Sequence, residues 1–120
     1  NVEEIVKLRM KNMSSINALS KKIYKNLNSG DFNILSENTL ELKNNIISFK
    51  ELFPKGSIGG KSKELIWKEK ELFNVYIEAF LEDTDLMISD IKNQNLASLK
   101  NSFNLMTSNC GICYKKFKSR

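Results

Sequence analysis

Glycine and proline, the residues that most readily interrupt a helix, occur in only three places in this chain. These places are Gly30, the loop Pro54–Gly60 and Gly111. No segment between them alternates apolar and polar residues with the period of two that a half-buried strand requires. Long segments without strand periodicity predict an all-α protein.

The first half of the chain predicts two helices, because its apolar residues recur at helical spacing. The first helix runs from Val2 to about Leu27 and ends at the Asn-Ser-Gly break that follows. Asp31 is a suitable N-cap for the second helix, which Pro54 stops. The predicted core faces are Val2, Ile5, Val6, Met13, Ile16, Leu19, Ile23 and Leu27, followed by Leu35, Thr39, Leu42, Ile46, Phe49 and Phe53.

The second half predicts two more helices by the same spacing. The third begins at about Ser62, carries Glu64 in its first turn and ends at the polar break 93–95. Asn95 is the predicted N-cap of a fourth helix that runs to the end. The predicted core faces are Leu65, Leu72, Phe73, Tyr76, Phe80 and Met87, followed by Leu99, Phe103, Met106, Cys110, Cys113 and Phe117.

Four helices joined mostly by short connections predict an antiparallel four-helix bundle, with helices crossing at about 20°. A length of 120 residues suits one domain with one core and is too short for two ordinary ones. We therefore expect a single bundle domain over residues 1–120.

Charge and hydropathy narrow the choice of partners. The net charge of +5 comes from 19 Lys and Arg against 14 Asp and Glu. These cations are scattered among acids rather than gathered in a basic stripe, so we expect no nucleic-acid partner.

No run approaches the roughly 18 apolar residues of a membrane span, so we expect no membrane-spanning helix. The first residues lack the apolar core of a signal peptide, which leaves a cytosolic protein and an exported one with its signal removed as alternatives.

The chain also lacks two features that are common in hydrolases and transferases. Histidine is absent. The segment GSIGGKS departs from the spacing of a phosphate-binding loop, G-x-x-x-x-G-K-[ST], and has no strand before it. A hydrolase or transferase is therefore disfavoured, and we expect no enzyme.

The only two cysteines lie in the stretch NCGICYKKF near the C-terminus. Cys110 and Cys113 continue the apolar stripe of the fourth helix, so both are predicted to face into the bundle. Zinc is disfavoured because two thiolates without histidine fall short of four ligands, and a thioredoxin-like pair would begin a helix after a strand. Two buried apolar residues, or a Cu(I) site with Met13, remain as alternatives.

Three stretches of the chain resemble the cytochrome c prime family, including its low-spin relatives. KLRMKNM in the first helix matches an Arg followed four residues later by Met or Leu. LFPKGS and then KELIWKEKELF are similar to an F-P-x-G-S loop followed by an E-I-W helix start. NLASLKNSFNLMTSNCGICYKKFKSR resembles D-L-x-x-L-K-x-x-F leading into C-x-x-C-H-x-x-F-R. The resemblance covers essentially all 120 residues.

This resemblance implies a periplasmic protein that uses a c-type haem for electron transfer or small-gas binding. Cys110 and Cys113 would attach the haem through thioethers. Met13 would face the iron on the distal side, and Arg9 would lie near the haem propionates. The resemblance also implies a redox partner protein and a homodimer through the first two helices.

The chain departs from the family at two positions. Tyr114 stands where the family has its proximal histidine, and Lys118 where it has its final arginine. Phenolate is a haem ligand in catalase, so Tyr114 is a candidate iron ligand together with Met13. The alternative is a haem-free binding or interaction module in which large side chains fill the vacant cavity. The candidates for that filling are Tyr114, Phe73, Phe80, Phe103, Tyr76 and Trp67.

Arg9 provides a check that does not depend on the family. It falls on the apolar stripe of the first helix, where an unpaired guanidinium would be costly to bury. A haem propionate would supply the anionic partner, and so would an acid such as Glu64 or Asp85. Alternatively, the side chain extends along the bundle to reach water.

Overall fold

A computed structural model describes residues 1–118 of the chain. Four long helices form an antiparallel four-helix bundle, which confirms the predicted fold class. Within residues 1–118 there is no β-strand, only an isolated bridge between Ser62 and Lys118. None of the helices in this range is both long enough and apolar enough to cross a membrane. The helices are α1 Val2–Asn26, α2 Phe32–Lys50, α3 Leu65–Lys68, α4 Lys70–Lys92 and α5 Leu96–Phe117.

The helix starts follow the capping residues that the sequence offers. The Asp31 carboxylate accepts the backbone N–H of Ile34 at 3.1 Å, and the Asn95 side-chain oxygen accepts that of Ser98 at 3.1 Å. Both caps were predicted and are confirmed, because each supplies an acceptor to an N–H that has no partner within the helix.

The core lies along the helix faces that turn toward one another. Close packing joins α1 to α2, α2 to α4, and α4 to α5. The predicted stripe of α2 is buried throughout. In α1 only the second half of the stripe is buried, because Val2, Ile5, Val6 and Met13 lie toward one end of the bundle and keep solvent contact.

Helix α2 ends at Lys50, four residues before Pro54, so its predicted C-terminus is wrong. A proline disfavours helical backbone at the residue before it, which explains why Phe53 is not helical. The carbonyls of Leu52 and Phe53 accept hydrogen bonds from side chains instead. The Leu52 carbonyl accepts from the Arg9 guanidinium at 2.9 Å, and the Phe53 carbonyl accepts from the Lys70 ammonium at 2.8 Å.

The predicted third helix is divided in two. The one-turn helix α3 stops at Lys68, and α4 starts at Lys70 after Glu69 leaves helical geometry with φ −119° and ψ 50°. The predicted core face is also partly wrong, since Leu65, Leu72 and Tyr76 are only half-buried. The buried face of this region is Ile66, Phe73, Ile77, Phe80, Asp83, Thr84, Met87 and Ile91.

Helix α5 ends at Phe117, and Lys118 is extended. The prediction that this helix continues to the end of the chain falls partly on residues 119 and 120, which lie outside the described range.

Candidate functional site

A cavity of about 270 Å³ lies between α1 and α5, two long helices that are not closely packed against each other. Aromatic and aliphatic side chains from α2 and α4 form its floor. The segment 59–62 borders it at one end. The lining residues are Arg9, Met10, Met13, Ser14, Asn17, Phe49, Phe53, Gly59, Lys61, Ser62, Ile66, Phe73, Ile77, Phe80, Cys110, Cys113, Tyr114, Phe117 and Lys118.

All five residues predicted as a site line this one cavity. Arg9 and Met13 stand on the α1 side, while Cys110, Cys113 and Tyr114 stand on the α5 side. The structure therefore brings together two segments that are separated by almost the whole chain.

Cys110 and Cys113 are one helical turn apart and both half-buried, with free thiols. Burial raises the pKa of the Cys110 thiol. Burial, together with the nearby Cys110, raises the pKa of the Cys113 thiol to about 12. Both sulfurs therefore carry their protons at neutral pH, which makes them poor nucleophiles in this state.

Contacts on both sides hold the cysteine segment in place. Before it, the Asn109 side-chain N–H donates to the Asp83 carboxylate of α4 at 2.6 Å. After it, the Phe117 carbonyl accepts the backbone N–H of Lys63 at 2.8 Å. Burial raises the pKa of Asp83, and the Asn109 hydrogen bond partly opposes that shift. These contacts fix the direction in which the two thiols face.

Tyr114 lies at the edge of the cavity rather than in its interior. Its side chain is 38% exposed, and the Lys118 ammonium lies 4.1 Å from the centre of its ring. Phe73 and Phe80 line the cavity and leave it open, while Phe103 is buried elsewhere in the core. The large side chains expected to fill a haem-free bundle therefore do not close this space.

Met13 is half-buried on the α1 wall, and Met10 lines the same space. The cavity thus carries two thioethers and two thiols, which are donors for soft metal ions. Within residues 1–118, however, no group of three or more His, Cys, Asp and Glu side chains is placed to hold a metal.

Arg9 is 3% exposed and is held by oxygen atoms of the segment 52–59. Its NH1 donates to the Leu52 carbonyl at 2.9 Å and to the Ser57 hydroxyl at 3.2 Å. Its NH2 donates to the carbonyls of Ser57 at 2.8 Å and Gly59 at 3.2 Å. The guanidinium also lies 4.8 Å from the centre of the Phe53 ring.

The acidic partners suggested for Arg9 are wrong. Within residues 1–118 no carboxylate pairs with it, and Asp85 instead binds Lys43 at 2.6 Å. The side chain does not reach water either, because the main chain of the loop surrounds it. Burial lowers the pKa of Arg9.

Two residues of this region were missed by sequence reasoning. Ser57 is 1% exposed and accepts from Arg9. The Lys70 ammonium donates to the Phe53 carbonyl and lies 5.4 Å from the centre of the Phe53 ring. The F-P-x-G-S pattern was a signal for Ser57, whereas Lys70 had none, because its position depends on the break at Glu69.

The fold and the cavity define a class: four-helix-bundle proteins with a pair of thiols, one turn apart, facing a space between the first and last helices. The sequence model of the family described as Cytochrome C' matches residues 4–118. The chain therefore belongs to the cytochrome c prime family.

Solved structures agree with this assignment at the level of the fold. A nitric oxide complex of a cytochrome c prime variant from Alcaligenes xylosoxidans is 18% identical, with a TM-score of 0.94 over 100% of this chain and 98% of that one. A ferrous variant with bound nitric oxide is 19% identical, with a TM-score of 0.94 over 100% and 97%. A carbon monoxide-bound variant from the same organism is 18% identical, with a TM-score of 0.94 over 100% and 98%. No curated protein sequence matches the chain.

Proposed function

We propose that this chain is a periplasmic haem protein that binds a small gas or transfers electrons, with the haem held between α1 and α5. The observation that carries the proposal is the pair of free thiols, Cys110 and Cys113, on the wall of a largely apolar cavity. Membership of the cytochrome c prime family supports it. A role in binding or electron transfer, rather than catalysis, is part of the proposal.

The residues present fit a covalently attached haem in two respects. The two thiols lie one turn apart on the face that borders the cavity, and the cavity separates α1 from α5. An imidazole for the iron is absent from the whole sequence. The phenol of Tyr114 is the oxygen donor nearest in sequence to the thiols among the cavity residues, so Tyr114 is the residue proposed to hold the iron.

When bound, the haem would supply an iron centre for redox change or diatomic ligands. Tyr114 would hold the iron through its phenolic oxygen, a type of ligand known for haem. Met13 would border the opposite, α1 side with a weak thioether donor. The aromatic floor formed by Phe73 and Phe80 would limit the access of water.

The test is expression with a c-type haem attachment system, followed by absorption and intact-mass measurement. The proposal expects a Soret band and a mass increase of one haem that survives denaturation. The matched control is the double variant Cys110→Ser/Cys113→Ser, which should stay colourless and keep its helical content. A wild-type protein that folds without added mass, beside a control cytochrome that matures, would overturn the proposal.

Two substitutions at Tyr114 test the iron ligand independently of the covalent attachment of haem. If the wild type is red, Tyr114→Phe should shift its spectrum while the covalent mass remains. Tyr114→His should give a spectrum typical of histidine ligation, because the imidazole would stand one turn from Cys110 on the same face. An unchanged spectrum in Tyr114→Phe would remove Tyr114 as the ligand.

The second candidate is a haem-free binding module on the same bundle. The continuous cluster of buried apolar side chains favours it, because its burial stabilises the bundle independently of any cofactor contact. A colourless, cooperatively folded wild type would select this candidate. The mass then identifies the state of the thiols, since a disulfide lowers the mass and a bound soft metal raises it.

A further inference from the structure

A second groove lies between α1 and α5, toward the end of the bundle that does not hold the cavity. It is open to solvent and shares no lining residue with the cavity. Its centre is formed by Tyr24 of α1 and Phe103 of α5. The groove is therefore separate from the site assigned to haem.

Tyr24 presents one free face of its ring. The ring centres of Tyr24 and Phe103 are 6.2 Å apart with 28° between their planes, so the two rings are stacked. Phe103 is 4% exposed, whereas Tyr24 is 69% exposed. The core thus supports one face of the Tyr24 ring and leaves the other to solvent. A supported, exposed ring of this kind favours stacking with a planar ring of a ligand.

Two lysines of α1 flank this ring. Lys21 and Lys25 both line the groove, and within residues 1–118 neither ammonium group has a salt bridge or a hydrogen bond. Residues four apart are neighbours on a helix surface, so both ammonium groups can reach one carboxylate. On the α5 side, the Asn104 amide also has no hydrogen-bond partner in the described range. The groove therefore offers two positive charges and an amide donor to an anion.

The charges of the whole helices strengthen this preference. Helix α5 has three lysines and no Asp or Glu, and α1 has no acidic residue after Glu4. The acidic residues gather on α4 instead, at Glu71, Glu78, Glu82, Asp83, Asp85 and Asp90. An anion is therefore attracted to the α1 and α5 side of the bundle and repelled from the α4 side.

We propose that this groove binds a planar aromatic carboxylate, with its ring on Tyr24 and its carboxylate toward Lys21 and Lys25. An aliphatic acid lacks the stacking contact, and an uncharged aromatic molecule lacks the ionic one, so the two features together define the ligand class. The proposal goes beyond the haem function and does not depend on it.

The experiment uses the full chain as isolated, with its helical content checked by circular dichroism. Three probes are titrated at low salt and followed by the backbone N–H resonances of isotope-labelled protein. They are 2-naphthoate, its uncharged analogue 2-naphthamide, and its saturated analogue decahydro-2-naphthoate. Naphthoate should shift resonances around residues 20–25 and bind about fivefold more tightly than either analogue, the size expected for exposed ion pairs and for one stacking contact. Added salt should reduce the preference over the amide and leave the preference over the saturated acid.

Two pairs of variants test the two contacts. Lys21→Gln/Lys25→Gln should remove the preference for naphthoate over naphthamide. Lys11→Gln/Lys22→Gln removes the same charge from exposed positions of α1 outside the groove and should keep that preference. Tyr24→Leu should weaken naphthoate about fivefold or more, whereas Tyr24→Phe should keep the affinity, because the ring and not the hydroxyl group stacks.

Several results would overturn the proposal. Equal affinity for naphthoate and naphthamide would show that the lysines do not recognise the carboxylate. Equal affinity for the saturated acid, or undiminished binding by Tyr24→Leu, would show that the ring of Tyr24 is not the contact. No binding at millimolar concentration, or shifts confined to other residues, would also reject it. None of these results bears on covalent haem, which intact mass tests separately.

Discussion

The two ends of the bundle are built from different kinds of side chain. At one end, the C-terminal half of α1 packs with the first half of α2, the last half of α4 and the first half of α5. Its fully buried residues are almost all aliphatic, including Ile23, Leu35, Leu42, Met87, Leu99 and Met106, each 0% exposed. At the other end, the buried side chains are largely phenylalanines, and a cavity remains between α1 and α5. We call the first the solid end and the second the open end.

The open end is supported by edge-to-face ring contacts rather than by close aliphatic packing. The ring centres of Phe53 and Phe73 are 4.7 Å apart, and those of Phe73 and Phe117 are 5.2 Å apart. Such pairs favour separated, angled rings, which hold a wall in place without filling the space beside it. The comparison shows that one helical periodicity can specify either a solid core or a lined space, depending on side-chain shape.

The largest expected effect is at the solid end. Phe103→Ala should lower the free energy of unfolding by about 3 to 5 kcal/mol, because the ring is buried and its removal leaves a cavity. Denaturant titration followed by circular dichroism measures it. A loss below about 1 kcal/mol would mean that this core is not closely packed.

The matched change at the open end is Phe80→Ala. Phe80 is 6% exposed against 4% for Phe103, and it lines the apolar cavity between α1 and α5, so its removal enlarges an apolar space that already exists. Its cost should be at least about 1 kcal/mol smaller than that of Phe103→Ala. Equal losses of unfolding free energy in the two variants would contradict the distinction between the two ends.

Arg9→Met tests whether the open end depends on the loop. The change removes four hydrogen bonds and leaves the oxygens of residues 52–59 without their donor. We expect a loss of about 2 to 4 kcal/mol and faster proteolysis at Lys55. Lys11→Met, exposed on the same helix, is the control and should change stability by no more than about 0.5 kcal/mol.

The thiols of the open end give a pH-dependent signal. The pKa of Cys113 is raised from 9.0 to about 12, so the folded state holds a proton that the unfolded state releases. Its contribution to stability is present below about pH 9 and is lost as the pH rises toward about 12. Cys113→Ala should therefore lose less stability over that window than the wild type.

The same shift predicts slow alkylation. At pH 9 the unfolded thiol is about half ionised, whereas the folded one is ionised only about once in a thousand molecules. Iodoacetamide should modify Cys113 on the order of 500-fold more slowly in native than in denatured protein. Similar rates in both states, read by peptide mass spectrometry, would show that the thiol is not desolvated.

The smallest effect is expected at the surface between α2 and α4. Lys43 and Asp85 form an exposed ion pair at 2.6 Å. A double-mutant cycle with Lys43→Gln and Asp85→Asn should give a coupling of only about 0.2 to 1 kcal/mol, falling with added salt. A coupling above about 2 kcal/mol would mean that surface charge, and not only side-chain shape, sets the stability of this region.

Sequence periodicity identified the solid end more completely than the open end. Leu99, Phe103 and Met106 were placed correctly, because burial along a regular helix follows from spacing alone. Five of the residues that line the cavity were also named by the resemblance to the family. Their arrangement was harder to predict from the sequence, because it depends on backbone that is not helical.

Arg9 illustrates the limit most clearly. Its position on an apolar stripe correctly indicated a buried charge that needed partners. The partners are main-chain and hydroxyl oxygens of a loop more than 40 residues later, as in the contact with Leu52. Every residue has a carbonyl, so a sequence carries no specific mark for such an acceptor. The break at Glu69 escaped prediction for a similar reason, since nothing in the residue itself excludes a helix.

The hydrogen bond between Lys63 and Phe117 has a consequence for the order in which parts of the chain fold. It joins the segment that borders the cavity to the last turn of α5, and these two parts are more than 50 residues apart in sequence. Contacts between such distant residues form late, because closing a long loop has an entropic cost. The border of the cavity is therefore completed after the local turns of each helix, when the last turn of α5 docks.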